Sequence, residues 1–386
     1  MAIKVTKDGT VTTVIDDNGK LTNSPVLALS PSSTARVIVK EQNPQGNIAG
    51  FISGGSTTDA PSMPKIDNIE KFLFSNIDAS ATEIGNLSAT KTNHAGNSSL
   101  THGFATGGPG APAASMTFID KFPFAQTSGT ASDVGDMSPG SAFDASTNDA
   151  QGDGTAFVSG GITPSAPLTT TVTNIRSYPH SISSGTSSNV GSLTESIRSA
   201  TSCSSVTHGY RIQGRGPTLA FGPTNPVNTV DKFPFAITSG SATDIGSHQE
   251  KRCDATGLSS ETHGFTMMGR FSYSPQPYGS QNNSSNNRKF PFAIESGFVS
   301  GSTEFWSSWT TVAGYTPTTT SPSFRYDATG VSSEYYGFIA GGRQTLSTSG
   351  GNTFNDVRSF SFTNNSEGNS VSELTTNNHS GAGHQF

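Results

Sequence analysis

Apolar and polar residues along this chain alternate in short bursts that end on glycine, and no stretch carries a sustained 3.6-residue stripe. Six bursts share one form, an aromatic followed four residues on by glycine: Phe51 and Gly55, Phe104 and Gly108, Phe157 and Gly161, Tyr210 and Gly214, Phe265 and Gly269, Phe338 and Gly342. Successive aromatics stand 53, 53, 53, 55 and 73 residues apart. Alternation with period two predicts strands, and a fixed long period predicts a repeat architecture.

A second element, an aromatic pair usually flanking proline, is led by Phe72, Phe122, Tyr178, Phe233, Phe290 and Phe360, and begins 14 to 21 residues after each glycine. Its entry strand carries an apolar residue three positions earlier, at Ile69, Ile119, Ile175, Val230 and Val357. A third element follows, Glu83-Ile84-Gly85, Asp133-Val134-Gly135, Asn189-Val190-Gly191 and Asp244-Ile245-Gly246, with its glycine 13 residues after the leading aromatic in all four copies. The constant step predicts a hairpin of set register; the variable step predicts a loop free to change length. The segment before each HGF-type burst, as in KTNHAGNSSLTHGF, supplies a fourth strand.

Four strands per unit, six times over, predict an all-β fold, a β-propeller of six four-stranded blades. A seventh blade would have to hide in residues 300–325, a stretch too short for one that reads instead as an insertion. The terminal TTNNHSGAGHQF and the ARVIVKEQNPQGNIAGFISGG segment are expected to complete one blade together, covering edges that would otherwise invite aggregation. Residues 1–30 stand outside the repeat as an N-terminal extension, with a hairpin around Asp8-Gly9 and a second turn at Asp17-Asn18-Gly19; residues 31–386 form the propeller. In VDKFPFAITSGSATDIGS (230–247), Phe233 and Phe235 project to one side with Pro234 between them, Lys232 is expected at the surface, and the phrase packs one blade against the next.

Composition agrees with many short strands joined by turns: 43 Gly and 21 Pro beside only 22 Lys+Arg and 28 Asp+Glu, while 24 Phe need burial and argue against disorder. The net charge of −6 without any basic block argues against nucleic acid as a partner, and no apolar run reaches the length of a membrane span, so membrane insertion is not expected. Cys203 and Cys253 read as two free thiols.

The diglycine, loop, aromatic strand and outer strand resemble the kelch propeller pattern. Units of the form N-x-I-D-K-F-P-F-A, T-D-V-G and S-S-x-T-H-G-F-x-x-G-G resemble a repeat family in structural proteins of marine tailed phages, especially cyanophages, over residues 36–386; the opening MAIKVTKDGTVTTVIDDNGKLTN resembles the start of tail, baseplate or fibre proteins. The resemblance implies a noncatalytic virion protein, made and assembled in the host cytoplasm, that contacts other virion structural proteins through residues 1–30, a candidate attachment arm, or through one propeller face. A host-surface receptor- or glycan-binding propeller is the alternative it leaves, a propeller enzyme a third, and homo-oligomerisation stays open. Departures from the pattern are Tyr178-Pro179-His180, Gln213 and Met268 in place of the first glycine, and the interrupted fifth unit.

Repetition of the polar residues points to structure rather than chemistry. His102, His208 and His263 recur at one repeat position and are expected to bond a neighbouring blade or turn, with the ring packed beside glycine; His384 reads as another copy or as exposed. Glu83, Asp133 and Asp244 read as local backbone caps, with Asn189 accepting the same bond, and Asp254 and Asp327 within DATG likewise. No catalytic triad, phosphate loop or metal-spaced cluster stands out, so no enzyme activity, metal or cofactor is expected. Ligand contacts are expected instead in the irregular loops, at Tyr273, Tyr278, Trp306, Trp309 and Tyr315, where aromatic faces can stack on glycans or anchor a protein.

Overall fold

The computed structural model describes residues 3–7, 10–15, 46–58, 64–75, 79–111, 116–148, 154–163, 170–217, 226–248, 251–271, 287–293, 305–306, 325–344, 352–363 and 366–385. The chain forms two compact units, residues 1–42 and 43–386. In the first, Ile3–Lys7 pairs antiparallel with Thr10–Ile15, while Asp8-Gly9 between them lies outside the described residues. The expected turn at Asp17-Asn18-Gly19 lies outside the described residues.

The second unit is a six-bladed propeller. Counting from the axis outward, the first blade holds Ala382–Gln385, Ala49–Ser56, Lys65–Leu73 and Thr82–Asn86, and the second Ala95–Ser98, His102–Thr106, Phe118–Pro123 and Ser132–Asp136. The third holds Ala145–Asn148, Thr155–Ser159, Asn174–Pro179 and Ser188–Ser192, and the fourth Thr201–Ser204, His208–Arg215, Pro226–Pro234 and Thr243–Ser247. The fifth holds Thr256–Ser259, His263–Met267, Asn287–Pro291 and Phe305–Trp306, and the sixth Thr329–Ser332, Tyr336–Ala340, Asp356–Ser361 and Ser366–Glu373. All ladders are antiparallel, and the innermost strands touch their neighbours around the whole circle. Both termini of the repeat build the first blade, as expected: Ala382–Gln385 pairs with Ala49–Ser56. The stretch containing Trp306 supplies the outer strand of the fifth blade, not a seventh blade.

The aromatic repeat is the seam between blades. The aromatic of each second strand lies between the two rings of the next blade's third strand: Phe51 on Phe124 (4.6 Å) and Phe122, Phe104 on His180 (5.3 Å) and Tyr178, Phe157 on Phe235 (5.2 Å) and Phe233. Tyr210 on Phe292 (5.0 Å), Phe265 on Phe362 (4.8 Å) and Phe338 on Phe74 (4.7 Å) complete the circle. Each such ring pair adds ~1 kcal/mol beyond the area it buries. Proline fits between the rings because Phe124 N donates to Thr101 O (2.9 Å) on the inward side, while pairing to the outer strand ends at Lys121 and Ser132, so no outward N–H is needed at Pro123.

The 13-residue step sets a second seam further out. Asn86 N donates to Gly129 O (2.9 Å) and Ala131 N returns a bond to Asn86 O (2.7 Å), so the outer strand of one blade abuts the turn of the next. A Cβ at Gly85 would lie 2.3 Å from Gly129 O, which makes glycine necessary there. Lys232 departs from expectation. It is buried, with its ammonium 5.9 Å from the centre of the Tyr210 ring, because the tightly packed blade covers its aliphatic stem.

Candidate functional site

At the axis, each crossover from an outer strand must turn sharply to enter the next innermost strand, and it does so with one residue in the left-handed region: Asn93, Phe143, Ser199, Asp254, Asp327 and Ser380, with φ from 50° to 59°. These six residues close a circuit of main-chain bonds. Phe143 N donates to Asn93 O, Ser199 N to Phe143 O, Asp254 N to Ser199 O, Asp327 N to Asp254 O, Ser380 N to Asp327 O and Asn93 N to Ser380 O, all at 2.8 to 3.1 Å. The ring satisfies twelve polar groups that would otherwise be stranded at the hub.

A second belt lies at the other end of the innermost strands. Ser204 N donates to Ser259 Oγ, Ser259 N to Ser332 Oγ, Ser332 N to Gln385 Oε1 and Gln385 N to Ser98 Oγ, at 2.9 to 3.0 Å. Between ring and belt runs an axial cavity of about 170 Å³ lined by serine, threonine, alanine and glycine, with His94 and Asp144 at the end nearer the ring. Both are held by the frame. Asp144 pairs with Arg176 (2.8 Å) and accepts from Ser141 Oγ, and burial raises its pKa above the usual carboxylate value.

His94 belongs to a chain that crosses the ring closure. Asn97 O lies 2.9 Å from His384 Nδ1, so that nitrogen carries the proton; Ser53 Oγ then donates to His384 Nε2 (2.8 Å) and accepts from His94 Nε2 (3.3 Å). Burial holds the His384 pKa down to about 4 and that of His94 well below the ordinary imidazole value, so both rings are neutral at pH 7. His384 is therefore neither exposed nor a copy of the HGF histidine. It sits fully buried in the innermost strand of the first blade.

The repeated histidines lie at the opposite end. Nδ1 of His102, His208 and His263 each meets the hydroxyl of the preceding threonine at 2.8 Å, and no group of three metal-ligating side chains occurs among the described residues. Asp133 and Asp244 cap Gly135 N and Gly246 N (3.3 and 2.8 Å). Glu83 instead accepts from the Asn68 side chain, and Asn189 donates its amide to Gly191 O (3.0 Å) and Ile175 O, the reverse of the expected bond, because a neutral amide can turn its N–H₂ toward carbonyls.

Asp254 and Asp327 are not local caps. Asp254 takes Arg215 (2.6 Å) and Arg270 on one oxygen, and Asp327 takes Arg343 (2.8 Å). The six repeat glycines all have φ between 83° and 130° at the ends of second strands, and the six leading aromatics are buried in the seams. Of the aromatic contacts expected in loops, Tyr273, Tyr278, Trp309 and Tyr315 lie outside the described residues; Trp306 is placed by its backbone, opposite Asn287.

Two further sets of residues escaped the reading of the sequence. The first is a buried acid in the third strand met by a Ser or Thr two residues past the outer strand: Asp120 with Ser88 (2.5 Å) and Lys91 (2.8 Å), Asp231 with Thr194 (2.5 Å) and Arg211, and Glu70 with Thr375. A recurring Leu-Ser/Thr after the third element was the available signal. The second is arginine placement: nine of the eleven arginines fall between residues 198 and 358. Arg215, Asp254, Arg270, Tyr326, Arg343 and Asp327 form one network across the fourth to sixth blades, with Arg270 and Arg343 4.0 and 4.9 Å from the Tyr326 ring centre.

No family model matches this chain, and no curated protein does. Among solved structures it is similar to YjhT, with a TM-score of 0.56 and 10% identity over 77% of this chain and 88% of that one. At that identity the likeness establishes the propeller fold alone. The expectation that the chain is no enzyme is withdrawn: it rested on missing sequence motifs alone, and a propeller fold shared with YjhT says nothing against catalysis.

Proposed function

We propose that the chain is a recognition propeller that binds a host-surface glycan or protein through the end of the ring bearing its variable connections. One observation carries this reading. The six links from second to third strands, which account for the changing 14-to-21-residue step, all leave the end that holds the hydrogen-bonded hub, whereas the opposite end is built of short repeated turns. A rigid ring with its sequence variation gathered at one end is the arrangement that loop-borne binding sites use. The phage resemblance supplies the setting, a virion whose host is a cyanobacterium.

The test is direct binding of the purified chain to cyanobacterial cells and to an array of their surface glycans. Replacing residues 272–286 and 307–324 with short Gly/Ser linkers should abolish binding without lowering the melting temperature of the ring by more than a few degrees. Undiminished binding after both replacements would exclude these two segments, and the same exchange in the links at 216–225 and 345–351 would then have to abolish binding for the loop end to stand as the recognition surface.

A second reading, contact with another virion protein, is favoured by the opposite end. There Ile48, Leu73, Leu100, Tyr335 and Tyr336 are the exposed large hydrophobics among the described residues, and they fall in the adjacent sixth, first and second blades. Tyr335-Tyr336 stands where three other blades carry Thr-His. If this end docks into the particle, Tyr335→Thr with Tyr336→His should reduce incorporation into virions while leaving cell binding intact.

A further inference from the structure

We propose that Arg198 and Arg215, with Arg270 beside them, form a binding site for an oxyanion group, a sulfate, phosphate or carboxylate, on the variable-loop end of the fourth blade. Arg198 and Arg215 face each other across an antiparallel bridge: Arg198 N donates to Arg215 O (3.0 Å) and Arg215 N to Arg198 O (2.8 Å). Directly opposed residues in such a pair project to one side, where like charges repel. The corresponding bridges elsewhere avoid this, joining Ala142 to Ile162, Cys253 to Arg270, Tyr326 to Arg343 and Ser56 to His379. Only the fourth blade, among the described residues, sets two guanidinium groups against each other there.

The surrounding carboxylates do not balance them. Asp254 spends one oxygen on both Arg215 and Arg270, and Asp327 is taken by Arg343, leaving four guanidinium groups against two carboxylates. Arg198 is nine-tenths buried, at 9% exposure, with no side-chain ion pair or hydrogen bond to a described residue, and its Nε is without a partner. Burial first and Arg215 second press its pKa below the usual guanidinium value, whereas the pKa of Arg215 is raised, chiefly by Asp254. Arg215 and Arg270 keep 19% and 14% of their side chains open to solvent, so an anion can reach the group. With Arg198 and Arg215 on one side of the bridge and Arg270 beside Arg215 on Asp254, the cluster offers planar donors that match a tetrahedral or planar oxyanion. The site deepens the recognition reading and rests on it only for what carries the oxyanion: a charged substituent of a surface polymer rather than a free ion.

The test uses the full chain in buffer of constant ionic strength, with sodium chloride exchanged stepwise for sodium sulfate or sodium phosphate, and binding followed by calorimetry and by melting temperature. A saturable response with a midpoint in the millimolar range or below is expected, weakened at least tenfold in Arg198→Gln. Without oxyanion, that variant should melt no lower than the parent, since it loses a buried cation that makes no hydrogen bond or ion pair to a described side chain. Dextran sulfate compared with neutral dextran separates the sources: tighter binding of the sulfated polymer than of free sulfate assigns a polymer substituent, and equal binding a free ion. Exclusion of sulfate from protein surfaces raises stability without saturating. A response that never saturates in the parent chain, or one that survives unchanged in Arg198→Gln, overturns the site. Sulfate binding in a protein that binds no host cell would overturn the recognition reading and leave this site standing.

Discussion

His180 occupies the place that phenylalanine holds in the other five seams, at Phe74, Phe124, Phe235, Phe292 and Phe362, and its ring stacks on Phe104 as theirs stack on their partners. Its Nε2 is buried without a hydrogen bond, and burial, assisted by Lys121, holds its pKa down to about 4. An unfolded histidine titrates near ~6.5, so the unfolded chain takes up this proton first; the stability due to a neutral His180 is complete above that value and is lost as pH falls toward 4. His384 follows the same sign and adds to the loss over the same window. Asp254 does not interfere, because its depressed pKa matters only below the ordinary carboxylate range. His180→Phe should therefore stabilise the propeller by ~1 kcal/mol at pH 7, by removing an unsatisfied buried nitrogen, and by more at pH 5. Guanidinium unfolding of both proteins at the two pH values checks this; an equal shift at pH 7 and pH 5 would show that protonation of His180 plays no part.

The innermost strands obey a rule that hydropathy does not reveal. Their second residue is Gly96, Ser146, Ser202, Gly257, Gly330 and Gly383 around the ring, and at the glycines a Cβ would meet a neighbouring strand's carbonyl oxygen: Ser202 O at 2.0 Å for Gly257, Gly257 O at 2.4 Å for Gly330, Gly330 O at 2.2 Å for Gly383. Four of the six strands thus leave no room for a Cβ at this position, the other two carrying serine, so Gly257→Ala should cost ~1–3 kcal/mol through backbone displacement, as overpacking of a filled core does. The reading to take is the shift in denaturation midpoint at constant m-value; a variant as stable as the parent would mean that the hub is looser than these distances require. The second and third strands were legible because alternating rings and branched residues mark them. AGNS and TSCS, by contrast, carry little apolar signal, since their partners are backbone groups and hydroxyls, and they were found only as the segment preceding HGF.

At the scale of the whole ring, the period of the repeat and the split of one blade between the two termini could both be read from spacing. The hub is not legible in the sequence: the two DATG copies read as local caps, and the other left-handed residues of the hub, Asn93, Phe143, Ser199 and Ser380, share a conformation and no side-chain chemistry. The arginine network was hidden because Arg198, Arg215, Arg270 and Arg343 are scattered along the sequence and converge only when blades are laid side by side. Closure itself rests on four residues, Ala382–Gln385. They pair with Ala49–Ser56, receive Ser332 N on Gln385 Oε1, give Gln385 N to Ser98 Oγ, and place His384 between Ser53 and Asn97. Deleting residues 382–386 would uncover a strand edge in the first blade and remove the belt contact between the sixth and second blades through Gln385, and an uncovered edge pairs with other chains. The truncated protein should elute as soluble aggregate in size-exclusion chromatography and lose its near-ultraviolet dichroism. A synthetic peptide of residues 376–386 added during refolding should restore the elution volume of the parent chain, because the vacant edge and the half-built hub select that strand. A truncated chain that elutes as the parent does, with an unchanged melting temperature, would show that the aromatic seams and the hub bonds of Ser380 hold the ring closed without this strand.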